Sequence, residues 1–267
     1  MPLTATLATP VTSEPNFRKY SAVYDLLYRD KDYAAEADYV ARMVRESAPK
    51  ARALLELGSG TGRHGRCLAG AGFQVHGIER SADMVALAEL APAAGLGFTC
   101  QVGDVRSVML DRSFDAVIAL FHVVSYQVTD DDLRAIFATA ARHLHPGGVF
   151  LFDVWHGPAV LAQPPEQRVK KVEDDNLEVI RTARPELNTN NRTVKVTYDM
   201  ECRDRHTGEI ARFSEDHLMR CLFVDEIESF AAQSGMHTLA SEEFMTGAAP
   251  SPATWGVLYL LRKAGAS

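Results

Sequence analysis

The 267-residue sequence predicts an α/β fold: a doubly wound, largely parallel sheet with an antiparallel β insert after its fifth strand. Three observations carry that prediction. Apolar strand-length runs alternate with helix-period segments as far as residue 155. The first such run, Leu54-Leu55-Glu56-Leu57, leads straight into Gly58-Ser59-Gly60-Thr61-Gly62. Strict alternation of apolar and polar residues begins only at Thr193. Continuous apolar strands belong to a sheet covered on both faces, whereas alternation belongs to an antiparallel strand with one wet face.

Each element follows from local chemistry. Tyr33–Ser47 reads as a helix with Ala37, Val40, Ala41 and Val44 on one face and Pro49 beyond its end. Strand one and the glycine turn come next, with Arg63 and His64 opening a helix. Residues 74–78 form a second strand ending in Glu79, and Ser81 is placed to cap a helix whose apolar stripe is Met84, Leu87, Ala88 and Ala91. Residues 98–102 are a third strand, followed by Gly103-Asp104, and residues 114–121 a fourth, apolar after Asp115. Thr129 and Asp132 form a capping box before Leu133, Ile136, Phe137, Ala140 and Leu144 at helical spacing. His145-Pro146-Gly147-Gly148 turns into a fifth strand at 149–154.

After Trp155 the pattern changes. Val194, Val196, Tyr198, Met200 and Cys202 share one face of a strand, with Lys195, Thr197, Asp199 and Glu201 on the other. Turn clusters at 188–191 and 204–208 flank it, and residues 210–223 supply a further strand. Asp225 is expected to cap a short helix that Gly235 ends, and residues 236–241 and 254–262 to close the sheet as a hairpin. The expected organisation is a tail and lid helix over 1–49, a ligand-binding core over 50–155, the insert over 156–223, and a closing helix and hairpin over 224–267. Residues 1–16 read as a mobile tail.

Composition narrows the function classes. With 46% hydrophobic and 24% charged side chains the chain can bury a substantial core. A net charge of −7 argues against a partner rich in phosphates, so a small-molecule acceptor is expected and no nucleic acid. No apolar run reaches membrane-span length and no secretion pattern opens the chain, so the expectation is a cytoplasmic protein with no membrane partner. Cys67, Cys100, Cys202 and Cys221 lack metal or disulfide spacing, and no metal is expected.

The glycine turn is where a ligand meets bare backbone. Glycine permits positive φ and close approach, and the helix that follows offers unpaired N–H groups and a positive dipole end. Glu79, at the end of strand two, is placed to accept from the two hydroxyls of a ribose. The spacing is G-x-G-x-G; where the dinucleotide motif G-x-G-x-x-G wants its last glycine stands Arg63. A ligand with a ribose and an adenine, but no pyrophosphate beside the turn, fits this pattern.

Gly58, Gly60 and Gly62, with Glu79, Asp104 and the Phe121-His122 strand end, resemble the cofactor site of class I S-adenosylmethionine-dependent methyltransferases, whose sheet is Rossmann-like. The resemblance covers roughly residues 18–262. It implies S-adenosyl-L-methionine as cofactor, with Glu79 on the ribose, Asp104 and Val105 at the adenine edge, Met84 on the adenine face, and Leu120 and Phe121 on the methionine side.

A narrower resemblance is to the N-methyltransferases that dimethylate nucleotide-linked aminosugars. It rests on Val23-Tyr24-Asp25, Lys31-Asp32-Tyr33-Ala34-Ala35-Glu36-Ala37, the stretch from Leu54 to His64, Ser81-Ala82-Asp83-Met84, Gly103-Asp104-Val105-Arg106 and Phe114-Asp115-Ala116-Val117. It implies that Tyr24 contacts the cofactor and Tyr33 faces the substrate. The family's Pro-Trp-Trp-Phe-Pro run is Val154-Trp155-His156-Gly157-Pro158 here, and its Ser-Ser pair is His122-Val123, which leaves room for a different acceptor.

Methyl transfer is an in-line displacement that needs donor and acceptor aligned about 3 to 3.5 Å apart. A neutral amine has only to shed a proton, whereas a hydroxyl needs a general base within reach. His122 is the candidate for that catalytic role. Tyr33, Tyr126, Trp155, His156, His217 and Arg220 are the candidates for substrate binding, and His64 is read as a helix-start residue. Four alternatives stay open: an O-methyltransferase of another natural product, a non-catalytic cofactor-binding scaffold, least of all an NAD-dependent oxidoreductase, and, for the insert, a homodimer contact.

Overall fold

The computed structural model describes residues 21, 23–91 and 97–265, and the tail expected over 1–16 lies outside them. Residues 23–27 are helical. Along the chain then come α1 (Tyr33–Ser47), β1 (Ala53–Leu57), α2 (Arg63–Gly70), β2 (Gln74–Glu79), α3 (Ala82–Leu90), β3 (Phe98–Val102), β4 (Phe114–Ala119), α4 (Asp130–His143), β5 (Leu144–Trp155) and α5 (Gly157–Ala162). The insert contributes β6 (Arg168–Glu173), β7 (Leu177–Asn188), β8 (Thr193–Asp204) and β9 (Ile210–Arg220). The chain closes with α6 (Val224–Gln233), β10 (Met236–Glu243) and β11 (Gly256–Lys263).

A seven-stranded sheet has the order β10-β11-β5-β4-β1-β2-β3, with β1 to β5 parallel and β11 antiparallel to both its neighbours. Strand order reverses between β1 and β4, and an open α/β sheet binds ligands beyond the carboxyl ends of its strands at such a point. Adjacent residues of β5 serve opposite layers. Phe150 and Phe152 join Phe137, Phe230 and Tyr259 on one face, while Leu151 joins Val40, Leu54, Phe73 and Leu258 on the other. Each such fully buried side chain contributes about 1.5–3 kcal/mol.

Two boundaries differ from the sequence reading. β5 starts at Leu144, because Pro146, Gly147 and Gly148 are absorbed as a register shift against β4 rather than forming a free turn. α6 is capped at Phe223 and not at Asp225, whose carboxylate sits in the first turn beside the positive end of the helix. There the Glu226 carboxylate accepts from Phe223 N–H at 3.1 Å, the half of a capping box that needs no polar side chain at the cap position.

The insert is a four-stranded antiparallel sheet in the order β6-β7-β8-β9. Its buried face docks in two places. Val179, Met200 and Cys202 pack on Val23 and Leu27, and Val194, Val196 and Cys221 pack on Val160 beside Trp155 and Trp255. Lys170 Nζ pairs with Asp30 at 2.7 Å, and Arg181 donates to Tyr28 Oη at 3.0 Å. The segment before α1 therefore bridges the insert to the main sheet.

Candidate active site

The carboxyl ends of β1 and β4 meet at one point. Gly58 has φ +75°, and a Cβ there would lie 2.5 Å from Val123 Cγ2, so the two strand-end loops pack with no room for a side chain. Gly60 (φ +54°) faces open space, the cradle in which a ligand can lie against main chain. Around it opens a cavity of about 450 Å³, in the range of small-molecule sites. It is lined at one end by Gly58, Gly60, Glu79, Met84, Asp104 and Val105, and at the other by Tyr126, Trp155, Tyr198, His217 and Met219.

At the first end, Glu79 Oε2 accepts from Gly60 N–H at 2.9 Å and Oε1 from Ser81 N–H at 2.8 Å. One carboxylate thus fixes both the glycine loop and the start of α3, and each oxygen keeps a further lone pair for a hydroxyl donor. Burial raises the Glu79 carboxyl above its usual range, against the lowering effect of those N–H groups. Asp104 is gripped by Arg106, whose Nη2 lies 2.6 Å from Oδ2 and whose Nη1 reaches Asp132 at 2.7 Å. Those bonds hold the Asp104 carboxyl below its ordinary value despite partial burial. Met84 and Leu120 are buried yet border the cavity. Tyr24, Tyr28, Tyr33 and Phe121 close over it, Tyr24 and Tyr28 with ring centroids 4.8 Å apart and Tyr28 and Phe121 edge to face at 5.1 Å. Asp25 accepts from Thr61 Oγ1 at 2.8 Å, tying this segment to the glycine loop.

Between the two ends stands His122. Phe121 and His122 both have φ 65°, two successive left-handed residues with side chains, each costing of order 1–3 kcal/mol. Asp153 holds them there. Its Oδ1 accepts from His122 N–H at 3.2 Å, and its Oδ2 lies 2.6 Å from His122 Nδ1. Burial alone would raise the Asp153 carboxyl; the facing imidazole outweighs it and brings the group below its ordinary value. The paired Nδ1 leaves Nε2 as the ring atom able to take a proton. Asp153 was not singled out from the sequence, although a lone acid inside Phe150-Leu151-Phe152-Asp153-Val154-Trp155 was a readable signal.

Several expected residues are placed elsewhere. His156 does not line the cavity: its backbone alternates away from Trp155, and the buried ring bonds the Thr254 carbonyl at 3.1 Å. Arg220 also lies off it, because its guanidinium ties β9 to Asp130 at 2.7 Å and to Glu226 at 2.5 Å. Gly62 caps α2 in a left-handed conformation with the Phe98 ring where a Cβ would go. His64 borders the cavity but holds Glu36 at 2.8 Å. Glu56, inside β1, lies against Gly65 away from the cavity, and burial pushes it up to about 8. Tyr198, Met219 and Gln127 line the cavity without having been expected there.

The methyltransferase domain family matches residues 54–148. The chain is 40% identical over 146 residues to dTDP-3-amino-3,4,6-trideoxy-alpha-D-glucopyranose N,N-dimethyltransferase of Streptomyces venezuelae, a match spanning 54% of this chain and only 60% of that enzyme. It is 32% identical over 228 residues to dTDP-3-amino-3,6-dideoxy-alpha-D-glucopyranose N,N-dimethyltransferase of Streptomyces fradiae, covering 84% of this chain and 85% of the relative. Among solved structures it is similar to S-adenosylmethionine-bound CalS10, an amino pentose methyltransferase from Micromonospora echinaspora, with a TM-score of 0.73, 27% identity, and 94% and 99% of the two chains covered.

Proposed function

The chain belongs to the class I S-adenosylmethionine-dependent methyltransferases, close to the nucleotide-sugar N-methyltransferases, and from that premise we propose that it methylates the amino group of a nucleotide-linked deoxysugar. One observation supports this reading above others. A single cavity runs from the glycine loop to the inner face of the insert, with the His122–Asp153 pair between its ends.

The cofactor fits the residues at the first end: open space at Gly60 for its amino-acid part, Glu79 for its ribose, Met84 and Val105 for its adenine, and Asp104 at the amino edge. Tyr24, Gly58, Leu120 and Phe121 complete that set, with Gly62 as the helix-opening support. When bound, S-adenosylmethionine supplies a methyl carbon activated by a sulfonium leaving group. The chain's own work is then alignment and proton removal. Tyr33, Tyr126, Trp155 and His217 orient the acceptor. His122 Nε2 takes one proton from the acceptor nitrogen for each methyl added, and Asp153 stabilises the imidazolium so formed. In this reading the insert is the acceptor side. The protein is taken as cytoplasmic, with the insert's outer face open to a second copy; among the described residues no helix is long and apolar enough to cross a membrane.

The His122–Asp153 pair also favours a second reading, because a carboxylate-backed imidazole is what a hydroxyl acceptor requires. Turnover with dTDP-3-amino-3,6-dideoxyglucose and with its 3-hydroxy counterpart, followed by S-adenosylhomocysteine release and product mass, separates the two. Methyl transfer to the amine alone is expected. Transfer to neither, with S-adenosylmethionine bound, would refute the sugar assignment.

A further inference from the structure

β9 breaks its own pattern. Phe213, Glu215, His217 and Met219 point inward while Ser214, Asp216 and Leu218 point out, so a carboxylate and an imidazole occupy positions where an apolar pair would be expected. Glu215 and His217 are 4% and 7% exposed, which makes them costly to bury without purpose. Local rules tend to be broken in this way at functional sites. Glu215 Oε1 faces His217 Nε2 at 3.2 Å, a buried ion-pair contact in which neither atom completes a hydrogen bond, and His217 Nδ1 is hydrogen-bonded to Tyr126 Oη at 2.8 Å. Tyr126 stands on the 3₁₀ turn Val123–Tyr126 just after β4, and its side chain is open to the cavity that His217 also lines.

We propose that Glu215, His217 and Tyr126 form a polarised chain that fixes the Tyr126 hydroxyl as a pure hydrogen-bond acceptor towards the methyl acceptor. A carboxylate offers only lone pairs, so the proton of a neutral His217 sits on Nε2, facing Glu215. Nδ1 is then bare and accepts from Tyr126 O–H. The phenol proton is committed to the wall, and the oxygen presents only lone pairs to the cavity. It therefore receives an N–H or O–H of the acceptor and discriminates against a group with no hydrogen to give.

This polarity rests on the methyl-transfer reading above and deepens it. His122 takes the proton that leaves, while Tyr126 holds a second N–H and so fixes the direction of the nitrogen lone pair. An ammonium that already bears one methyl still carries both hydrogens. The groups that face the chain are Tyr198 of β8, edge to face with His217 at 4.8 Å and paired across the sheet with Glu215, Arg181 of β7 over the Tyr198 ring at 4.8 Å, and Tyr28 from the N-terminal segment. Of these three, Tyr126 is the one that touches the acceptor; His217 and Glu215 are positioning residues that act through it.

The test that needs no acceptor is spectroscopic. In protein carrying ¹⁵N-histidine, long-range ¹H–¹⁵N spectra at neutral pH are expected to show His217 as the Nε2–H tautomer. Glu215→Leu should redistribute it, and Glu215→Gln, whose carbonyl can still accept, should preserve it. A doubly protonated His217, or the Nδ1–H tautomer, would reverse the phenol and overturn the proposal.

The kinetic arm uses dTDP-3-amino-3,6-dideoxyglucose. Tyr126→Phe is expected to raise the KM for that sugar about tenfold, equivalent to one hydrogen bond, with S-adenosylhomocysteine affinity unchanged. Adding Glu215→Leu to Tyr126→Phe should cost nothing more, whereas multiplied losses or an unchanged KM in Tyr126→Phe would refute it. Absence of turnover in the wild-type protein would instead count against the sugar reading, and the tautomer measurement would still decide the wall.

Discussion

His122 is the residue on which the chemistry turns, and the pH behaviour of its replacement distinguishes the two acceptor classes. An ammonium acceptor sheds its own proton to water as pH rises through its pKa, whereas a sugar hydroxyl stays protonated throughout the accessible range. His122→Ala should therefore slow turnover about a hundredfold near neutrality. For an amine acceptor, kcat/KM of the variant climbs back towards wild type in alkaline buffer; for a hydroxyl it stays low at every pH. A pH–rate profile of the two proteins reads the difference, and full wild-type turnover at neutral pH would remove His122 from the mechanism. The same substitution has a stability signature. Asp153 has a depressed pKa in the folded protein, so its contribution is present above the ordinary carboxylate pKa and is lost as pH falls through the lower folded value. Removing the imidazole leaves a buried carboxylate unpaired at neutral pH, a loss of about 1–3 kcal/mol, and the gap to wild type narrows below about pH 4, where protonation relieves it.

At the scale of elements, the β1 loop separates packing from binding within three residues. Gly58→Ala drives a Cβ into Val123 in a left-handed backbone, so about 1–2 kcal/mol of conformational strain adds to about 1–3 kcal/mol of overpacking, and the displaced Val123 adjoins His122. Gly60→Ala meets no neighbour and costs only the left-handed term, but it fills the space assigned to the cofactor. Thermal melts and calorimetry with S-adenosylhomocysteine should show Gly58→Ala losing stability and Gly60→Ala chiefly losing affinity. Equal affinities in wild type and Gly60→Ala would show that no ligand lies on that loop. The features legible in the sequence were those with a fixed offset from a strand end: the glycine loop, Glu79 at the end of β2, Asp104 after β3, His122 after β4. What escaped depended on orientation or on distant partners. His156 and Trp155 are adjacent, and alternation sends only Trp155 to the cavity. Arg220 pairs with Asp130 and Glu226 from two other helices, which no local pattern specifies. Asp153 sits inside a strand whose burial hid it among apolar neighbours, and Glu215 lies in the polar run Ser214-Glu215-Asp216-His217, where nothing local says which side chains turn inward.

The whole molecule closes its cavity with three separated stretches of chain: the segment before α1, the strand ends of the main sheet, and the inner face of the insert. Val23 and Leu27 pack on the insert, Asp25 bonds the glycine loop through Thr61, and Lys170 reaches back to Asp30. A ligand bound at such a junction interacts with a surface that exists only when all three are assembled, so its binding energy adds to the stability of the entire fold. At a hundred times its dissociation constant, S-adenosylhomocysteine should stabilise the protein by about 2.7 kcal/mol, which for a chain of this size raises the Tm by roughly 5–10 °C. Glu79→Ala removes the carboxylate that braces Gly60 and Ser81 as well as the ribose partner, so the variant should melt lower and show little of that shift. NAD should give none in either protein, because Arg63 takes the place of the glycine that a pyrophosphate needs. Scanning calorimetry of the two proteins with each ligand measures all four values. A rise with NAD and none with S-adenosylhomocysteine would overturn the assignment of the first end of the cavity, and with it the proposed chemistry at the second.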